Sequence, residues 1–335
     1  MVRGFFMELP LPDAAANLHQ AEAMAAALEI PLSLLDLRSD FNRLVIHYFT
    51  SSYRSGLTPN PCIYCNQQIK FGLLAQAMLQ SGMNCIATGH YARISHTACG
   101  PRLMRGADPV KDQSYFLARL SREQLDQVVL PLGERRKSEV RLLAQQKGLP
   151  LPRGESQDVC FLKQGLASFL TDQGIAAVPG EIVDTNGKKL GLHQGIGHYT
   201  VGQRRGLGLP DANPWYVQSI DAENNQLIVG KEKDLWQQVC RVHSLRWALG
   251  VAPSSWQGII QLRSQHQGAP GELRMTGPGT AEISFAEAQR AITPGQFAVF
   301  YQDDTVMGSA VIGLPPVPGV QDKHNASRTT AVPAT

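Results

Sequence analysis

Cys62 and Cys65 stand three residues apart in the stretch Thr58-Pro59-Asn60-Pro61-Cys62-Ile63-Tyr64-Cys65-Asn66, and thiols so spaced serve metal binding, redox exchange or nucleophilic attack. The two prolines fix φ and remove two backbone donors, which predicts a stiff extended loop whose helix starts only after the second cysteine. Behind it, Ile69, Leu73, Leu74, Ala77 and Met78 recur at helical spacing, so Cys65 and Asn66 are expected at or near a helix N-terminus. There the helix dipole and free N–H groups would lower the thiol pKa. A zinc half-site needs a second Cys/His pair, whereas Cys85, Cys99, Cys160 and Cys240 stand alone. A thioredoxin-like pair would open a helix directly after a strand, without Asn60-Pro61 in front of it. Half-buried structural cysteines and a reactive cysteine with a distant partner remain as readings.

Other polar groups stand where chemistry could use them. Cys160, in Glu155-Ser156-Gln157-Asp158-Val159-Cys160-Phe161-Leu162, lies between a polar loop and apolar residues, 95 positions after Cys65. Gly89 and His90 close a run, 85–91, that reads as a buried strand, and ligands of parallel sheets bind beyond the carboxyl ends of strands. A lone histidine there has a structural reading as well. Lys111-Asp112-Gln113 offers a cation, an acceptor and an amide within three residues, as a phosphate or ribose contact needs. His198-Tyr199-Thr200-Val201-Gly202-Gln203-Arg204-Arg205-Gly206-Leu207-Gly208 is a basic, glycine-studded loop; it suits a nucleic-acid backbone or a tight turn on a small β domain.

Positioning these groups takes several elements, and 335 residues provide for two or three domains. The opening Gly4-Phe5-Phe6-Met7-Glu8-Leu9 predicts a strand. Asp13 would cap an Ala-rich helix with the apolar face Leu18, Ala21, Ala25 and Leu28, and 30–37 would be a second strand, giving a β-α-β run. A helix over 71–79 then leads into the strand at 85–91. Ser121-Arg122-Glu123-Gln124 has the spacing of a capping box, and a helix over 137–147 ends at Gly148 before Pro150. Past Cys160 the chain turns Gly-rich and alternating, at 179–184 and 187–191. From 239 to 312, alternating runs at 259–263, 281–285 and 297–301, separated by Gly and Pro, predict a small β-barrel. The polar tail after Pro315 is expected to be disordered.

Composition sets outer limits. With 43% hydrophobic and 18% charged residues and no apolar run long enough for a bilayer, a membrane-spanning protein is not expected. The start turns acidic at Glu8 and then Pro-rich, unlike a signal peptide. Six scattered cysteines suit a reducing cytoplasm. A net charge of +3 does not demand a polyanion, and Arg135-Arg136-Lys137 and Arg204-Arg205 read as solvated surface.

With these pieces in order, the chain resembles the bacterial tRNA-specific 2-thiouridylase family, which replaces the 2-oxygen of the wobble uridine, position 34, by sulfur. The carrying motifs are the Thr58–Asn66 stretch, Ala87-Thr88-Gly89-His90-Tyr91, Lys111-Asp112-Gln113-Ser114-Tyr115-Phe116-Leu117, Asp158-Val159-Cys160-Phe161, the loop 198–208, Pro214-Trp215-Tyr216-Val217 and Thr293-Pro294-Gly295-Gln296-Phe297-Ala298-Val299-Phe300-Tyr301. They span nearly all of 4–312. The resemblance implies an α/β fold class: a truncated Rossmann-like ATP-pyrophosphatase (PP-loop/HUP) domain over 1–165, a small, mainly-β tRNA-binding domain over 166–236, a C-terminal β-barrel over 237–314, and the tail 315–335.

It also implies roles. Cys65 and Cys160 match the catalytic cysteines, whereas the position of Cys62 need not be cysteine in relatives. Asn60, Pro61 and Cys62 match the entry of the target base; Met7 matches a residue packing on adenine, and Gly89 one touching the nucleotide. His90, Lys111, Asp112, Gln113, Arg263, Ser264 and Gln296 match tRNA contacts, although an aromatic usually follows the arginine at Arg263. The implied cofactors are ATP and Mg²⁺ without a protein metal site, with persulfide sulfur brought from a cysteine desulfurase by a relay protein. A cytoplasmic monomer is expected. The implied route is adenylation of the uridine oxygen, attack by a persulfide on Cys160, and release by Cys65 through a Cys65–Cys160 disulfide, or direct attack by Cys65. Family members begin with a strand and a Ser-Gly-Gly-Val-Asp-Ser loop that cradles phosphates, and this sequence starts at their second strand without that loop. The expectation is either a mis-assigned start or a degenerate, non-catalytic paralogue that binds tRNA or handles sulfur without ATP activation.

Overall fold

The computed structural model describes residues 2–150, 159–210 and 212–314. The polar segment 155–158, which includes Asp158, and the tail 315–335 lie outside the described residues. β1 (Gly4–Glu8) and β2 (Leu32–Asp36) pair in parallel, Gly4 opposite Leu32 through Glu8 opposite Asp36, with α1 (Ala14–Ala27) as the crossover. This is the expected β-α-β unit. The anticipated face of α1 is thin, since Ala25 alone of its four residues is buried and Leu28 is 45% exposed. Asp13 takes the N-cap position without a side-chain cap bond; its carboxylate pairs with Lys163 instead.

A continuous helix follows, made of α2 (Arg38–Phe41), a π-helical stretch Asn42–Ile46 and α3 (His47–Arg54). It buries Phe41, Val45, Ile46, Phe49 and Tyr53 in a core shared with Leu9, Ile69, Phe161 and Leu170. A second continuous helix comprises α4 (Pro61–Tyr64), a π-helical stretch Cys65–Leu74 and α5 (Ala75–Gln80). The strand expected over 85–91 is only β3 (Ile86–Ala87), which pairs in parallel with β6 (Val128–Val129), so Gly89 and His90 sit in the loop beyond it. Among the described residues β1 and β3 do not pair, but Phe5 of β1 packs on the cluster holding Ile86.

Between β3 and β6 the chain makes the hairpin β4 (Ala92–Thr97) and β5 (Gly100–Arg105), then α6 (Ser114–Leu117) and α7 (Arg122–Asp126). α7 opens on the capping box expected at Ser121 and Gln124. α8 (Lys137–Gln146) ends at Gly148, whose φ of +63° explains the glycine, and α9 (Leu166–Asp172) follows Cys160.

The central sheet joins β7 (Gly180–Asp184), β8 (Lys189–His193), β9 (Tyr216–Asp221) and β10 (Gln226–Gly230) in the order β8-β7-β10-β9. The basic loop 198–208 is pinned to this sheet by buried Tyr199 and Leu207, leaving Arg204 and Arg205 exposed.

Beyond it, β11 (Trp236–Trp247), β12 (Ser255–Gln261), β13 (Ala269–Gly277), β14 (Thr280–Arg290), β15 (Phe297–Gln302) and β16 (Thr305–Ile312) close into a six-stranded barrel through β11–β16 pairing. β15 explains its own apolar sequence. Ala298 and Phe300 fill the barrel, while Phe297, Val299 and Tyr301 face the α/β body and pack with Tyr115 and Leu117. Alternate residues thus enter two cores, each large one contributing about 1.5–3 kcal/mol. Polar bonds cross the same boundary: Tyr115 Oη donates to Phe297 O at 3.0 Å, and Ser309 Oγ to Ala118 O at 3.1 Å. The β4–β5 hairpin extends the barrel sheet, with Met104 opposite Thr305. Among the described residues no helix is long and apolar enough to cross a membrane.

Candidate active site

The thiol stretch folds differently from its expectation. Asn60 is the extended N-cap residue and Pro61 the first helical residue, where a missing N–H costs nothing and the fixed φ suits a helix. Both cysteines therefore lie inside the helix, Cys62 on its first turn and Cys65 on the next. The dipole fades within the first turn. Burial instead pushes the Cys65 thiol up to about 12, and that of Cys62 up as well. The expected lowering at Cys65 does not hold in this conformation, because desolvation of a thiolate outweighs a fading dipole.

Cys65 opens the π-helical stretch, and a side chain from α7 braces that widened turn. Gln124 Nε2 donates to the carbonyls of Gln67 and Phe71, both at 2.9 Å, while its Oε1 accepts from Ser121 N. Asn66 Nδ2 donates to Phe116 O at 3.0 Å. The segment of Cys160 is anchored by its neighbour Phe161, which packs edge-on against Phe49 at 5.1 Å and Phe41 at 5.9 Å, both of the preceding helix, in the core cluster that also takes Ile69 of the thiol helix. Val159, Phe161, Cys65 and Met7 all belong to or pack on that one core cluster. All six cysteines are free thiols. Burial raises the Cys160 pKa, and Cys160 in turn acts on Cys62 and Cys65 through space.

Lys70, whose sequence context carries no signal for a role, is the cation common to this group. It is half-buried five residues past Cys65, a separation that a π-helix places one turn on, and its charge lowers the pKa of all three thiols. The spacing would have pointed to it only once the π geometry was known. His90, in reach of Lys70, is held neutral: burial and then Lys70 push its pKa down to about 3. Its Nδ1 shares a hydrogen bond with Thr88 Oγ1 at 2.9 Å, and its ring lies 5.6 Å from that of Phe71.

The remaining expected residues divide into those facing outward and those engaged within the fold. Asn60 is 8% exposed, and Pro61 is buried. Asp112 accepts from Arg105 Nη1, Gly106 N, Ser114 N and Ser114 Oγ at 2.9–3.0 Å, so its carboxylate builds the loop. Gln113 Oε1 accepts from Tyr91 N, fixing the residue after His90. Lys111 is half-buried. Ser264 is exposed, and Arg263 Nη1 donates to Arg290 O at 3.4 Å. Gln296 Nε2 donates to Thr58 O at 2.9 Å.

The remaining pair stands at the ends of two strands. Met7 is half-buried near the carboxyl end of β1, and Gly89, just past β3, is exposed with only Leu132 Cδ1 near the place of a Cβ, at 3.7 Å. Among the described residues no cluster of three His, Cys, Asp or Glu side chains could hold a metal ion. The arrangement, two cysteines from distant segments and a shared cation, suits sulfur exchange between thiols.

Three family profiles match in succession: a tRNA methyl transferase HUP domain over 8–164, a tRNA methyl transferase PRC-barrel domain over 167–231, and an aminomethyltransferase beta-barrel domain over 237–312. The chain is 45% identical to the tRNA-specific 2-thiouridylase MnmA of Desulfotalea psychrophila over 315 residues, 93% of this chain and 92% of the relative. It is 43% identical to the protein of that name from Trichlorobacter lovleyi, covering 88% and 84%, and 41% identical to that from Geobacter metallireducens, covering 88% and 82%. With a HUP domain, a PRC-barrel and a closed barrel in this order, and identity of this level over most of both chains, the chain belongs to the tRNA-specific 2-thiouridylase family.

Proposed function

We propose that this chain thiolates C2 of uridine 34 in tRNA, with Cys160 carrying the sulfur as a persulfide and Cys65 releasing it. The observation that carries the reading is the packing of Cys65, Val159 and Phe161 on one core cluster, which sets the segment of Cys160 against the helix of Cys65. Residues 1–165 would form the catalytic domain, 166–236 and 237–314 the RNA-holding ones, in a monomer served by a cysteine desulfurase and a relay protein. Met7 and Gly89 would hold the adenine side of ATP. ATP with Mg²⁺, when bound, supplies the leaving group that makes the C2 oxygen displaceable.

The chain's own part is sulfur handling. The terminal sulfur of the Cys160 persulfide forms a bond to C2 while the activated C2–O bond breaks and its electron pair leaves with the oxygen. The Cys65 thiolate then attacks Cys160 Sγ, the old S–S bond breaks, and its electron pair leaves on the sulfur now attached to the base. A Cys65–Cys160 disulfide remains, which two further thiols reduce by exchange. Lys70 favours the thiolate in each step, and Asn60, Pro61 and Cys62 line the pocket for an unstacked base. In a thiolation assay with tRNA, ATP, Mg²⁺ and a persulfide donor, Cys160→Ser and Cys65→Ser abolish product while Cys62→Ser is far milder. Retained activity in Cys160→Ser would defeat the mechanism, and equal loss in Cys62→Ser would reassign the releasing thiol.

A further inference from the structure

Arg119, in the turn after α6, is 7% exposed; its Nη1 donates to Ser244 O at 2.7 Å, while its Nε is buried without a hydrogen-bond partner. The guanidinium stands 5.6 Å from the Phe297 ring centroid. Burial, and after it the charge of Arg246, lower its pKa to about 10, so it remains a cation at neutral pH. Arg246 is brought alongside by strand pairing. It stands opposite Ser309, whose hydroxyl donates to Ala118 O, the residue before Arg119.

The local backbone is irregular there. The β11–β16 register shifts between His243 and Arg246, and Ser244 has a φ of +51°, rare for a residue with a side chain. That bulge offers the Ser244 carbonyl to Arg119 and leaves His243 and Arg246 exposed. Among the described residues neither guanidinium has a carboxylate partner. A buried cation beside a second cation lacks the counter-charge that normally offsets its desolvation. Forked guanidinium donors match phosphate oxygens in geometry. The Phe297 ring beside Arg119 lies 6.1 Å from Tyr64 of the thiol helix, and Tyr64 stacks on Tyr48 at 3.9 Å, so the pair stands where that helix meets the barrel.

We propose that Arg119 and Arg246 form a phosphate site at the junction of the α/β body and the barrel, which takes one backbone phosphate of the substrate RNA. The inference rests on the tRNA reading above. Arg246 meets the phosphate from the solvent side, and the Arg119 charge beneath it adds attraction in a low dielectric.

The test is tRNA binding by the full chain across a salt series. Arg246→Gln changes an exposed side chain and should leave folding intact; it is expected to weaken binding about tenfold at low salt and to lower the slope of log K against log salt by about 1. Arg119→Gln should do the same, and where it melts, Arg246→Gln alone decides. An unchanged slope in Arg246→Gln, with the parent chain binding tRNA, overturns the site and leaves the tRNA reading standing. A parent chain that binds no tRNA overturns both. Stabilisation by millimolar inorganic phosphate that depends on Arg246, without a change in the tRNA slope, makes this a free-anion site and overturns the RNA assignment.

Discussion

Gln296 grips the loop in front of the thiol helix: its Nε2 donates to Thr58 O at 2.9 Å and lies 3.4 Å from Pro59 O, across 238 and 237 residues of sequence. The same barrel turn makes two further contacts. Thr58 N donates to Pro294 O at 2.9 Å, and Gly295, at φ +90°, is so close that a Cβ would stand 3.0 Å from Thr58 N and O. Asn60 and Pro61, which start the helix of Cys62 and Cys65, are thereby tied to the barrel.

A tether and an RNA contact at Gln296 predict different kinetics. Gln296→Leu keeps the volume and removes the donor, so the loop loses about 1 kcal/mol of restraint. Misplacement of reacting groups costs rate rather than affinity, and kcat for thiolation is expected to fall about tenfold with KM nearly unchanged. A raised KM at constant kcat would make Gln296 an RNA contact instead.

The buried Cys65 thiol has a second signature. With its pKa at about 12, the thiolate fraction climbs tenfold per pH unit throughout the range in which an ordinary thiol levels off. In a chain carrying Cys62→Ser and Cys160→Ser, alkylation of Cys65 should rise log-linearly from pH 7 to pH 10. Lys70→Met removes the cation and should slow it at every pH. A plateau near pH 8.5 would mean that this thiol is solvated.

Gln124 closes the capping box of α7 and braces the π-helical stretch with two further bonds. Gln124→Leu leaves two carbonyls and one N–H without their partner and should cost about 1–3 kcal/mol by urea unfolding. Ser121→Ala removes the cap alone and should cost about 1 kcal/mol. Equal losses would show that the brace is not needed for stability.

These cases show what local pattern can and cannot reveal. The pairing of β1 with β2, the capping box at Ser121 and the barrel runs at 259–263, 281–285 and 297–301 were legible because each rests on spacing within a few residues. The helix start at Pro61 departs from the expected extended loop because proline, a breaker inside a helix, suits its first position, and Asn60-Pro61 is an N-cap followed by a first helical residue. The π geometry that aligns Lys70 with Cys65 depends on Gln124, more than fifty residues on. The β4–β5 hairpin carries Arg93, Ser95, His96, Arg102 and Arg105, a pattern too polar to announce a strand, and its partner β16 lies about two hundred residues away. Cys160 reaches the site through the aromatic packing of Phe161, which no spacing in the sequence encodes.

His90 ties the site to stability through pH. Burial and then Lys70 hold its folded pKa at about 3, against 6.5 for a free imidazole. Below pH 6.5 the unfolded chain therefore takes up a proton that the folded chain refuses, and the unfolded state gains. Stability from this residue is fully present above pH 6.5 and falls as pH drops toward 3, by about 1.4 kcal/mol per unit. His90→Gln keeps a polar group within reach of Thr88 and does not titrate. The gap in unfolding free energy between parent and variant should thus be flat from pH 8 to 7 and move in the variant's favour from pH 6 to 4. Parallel curves over that interval would put the imidazole in water, not in the buried setting beside Lys70 and Phe71.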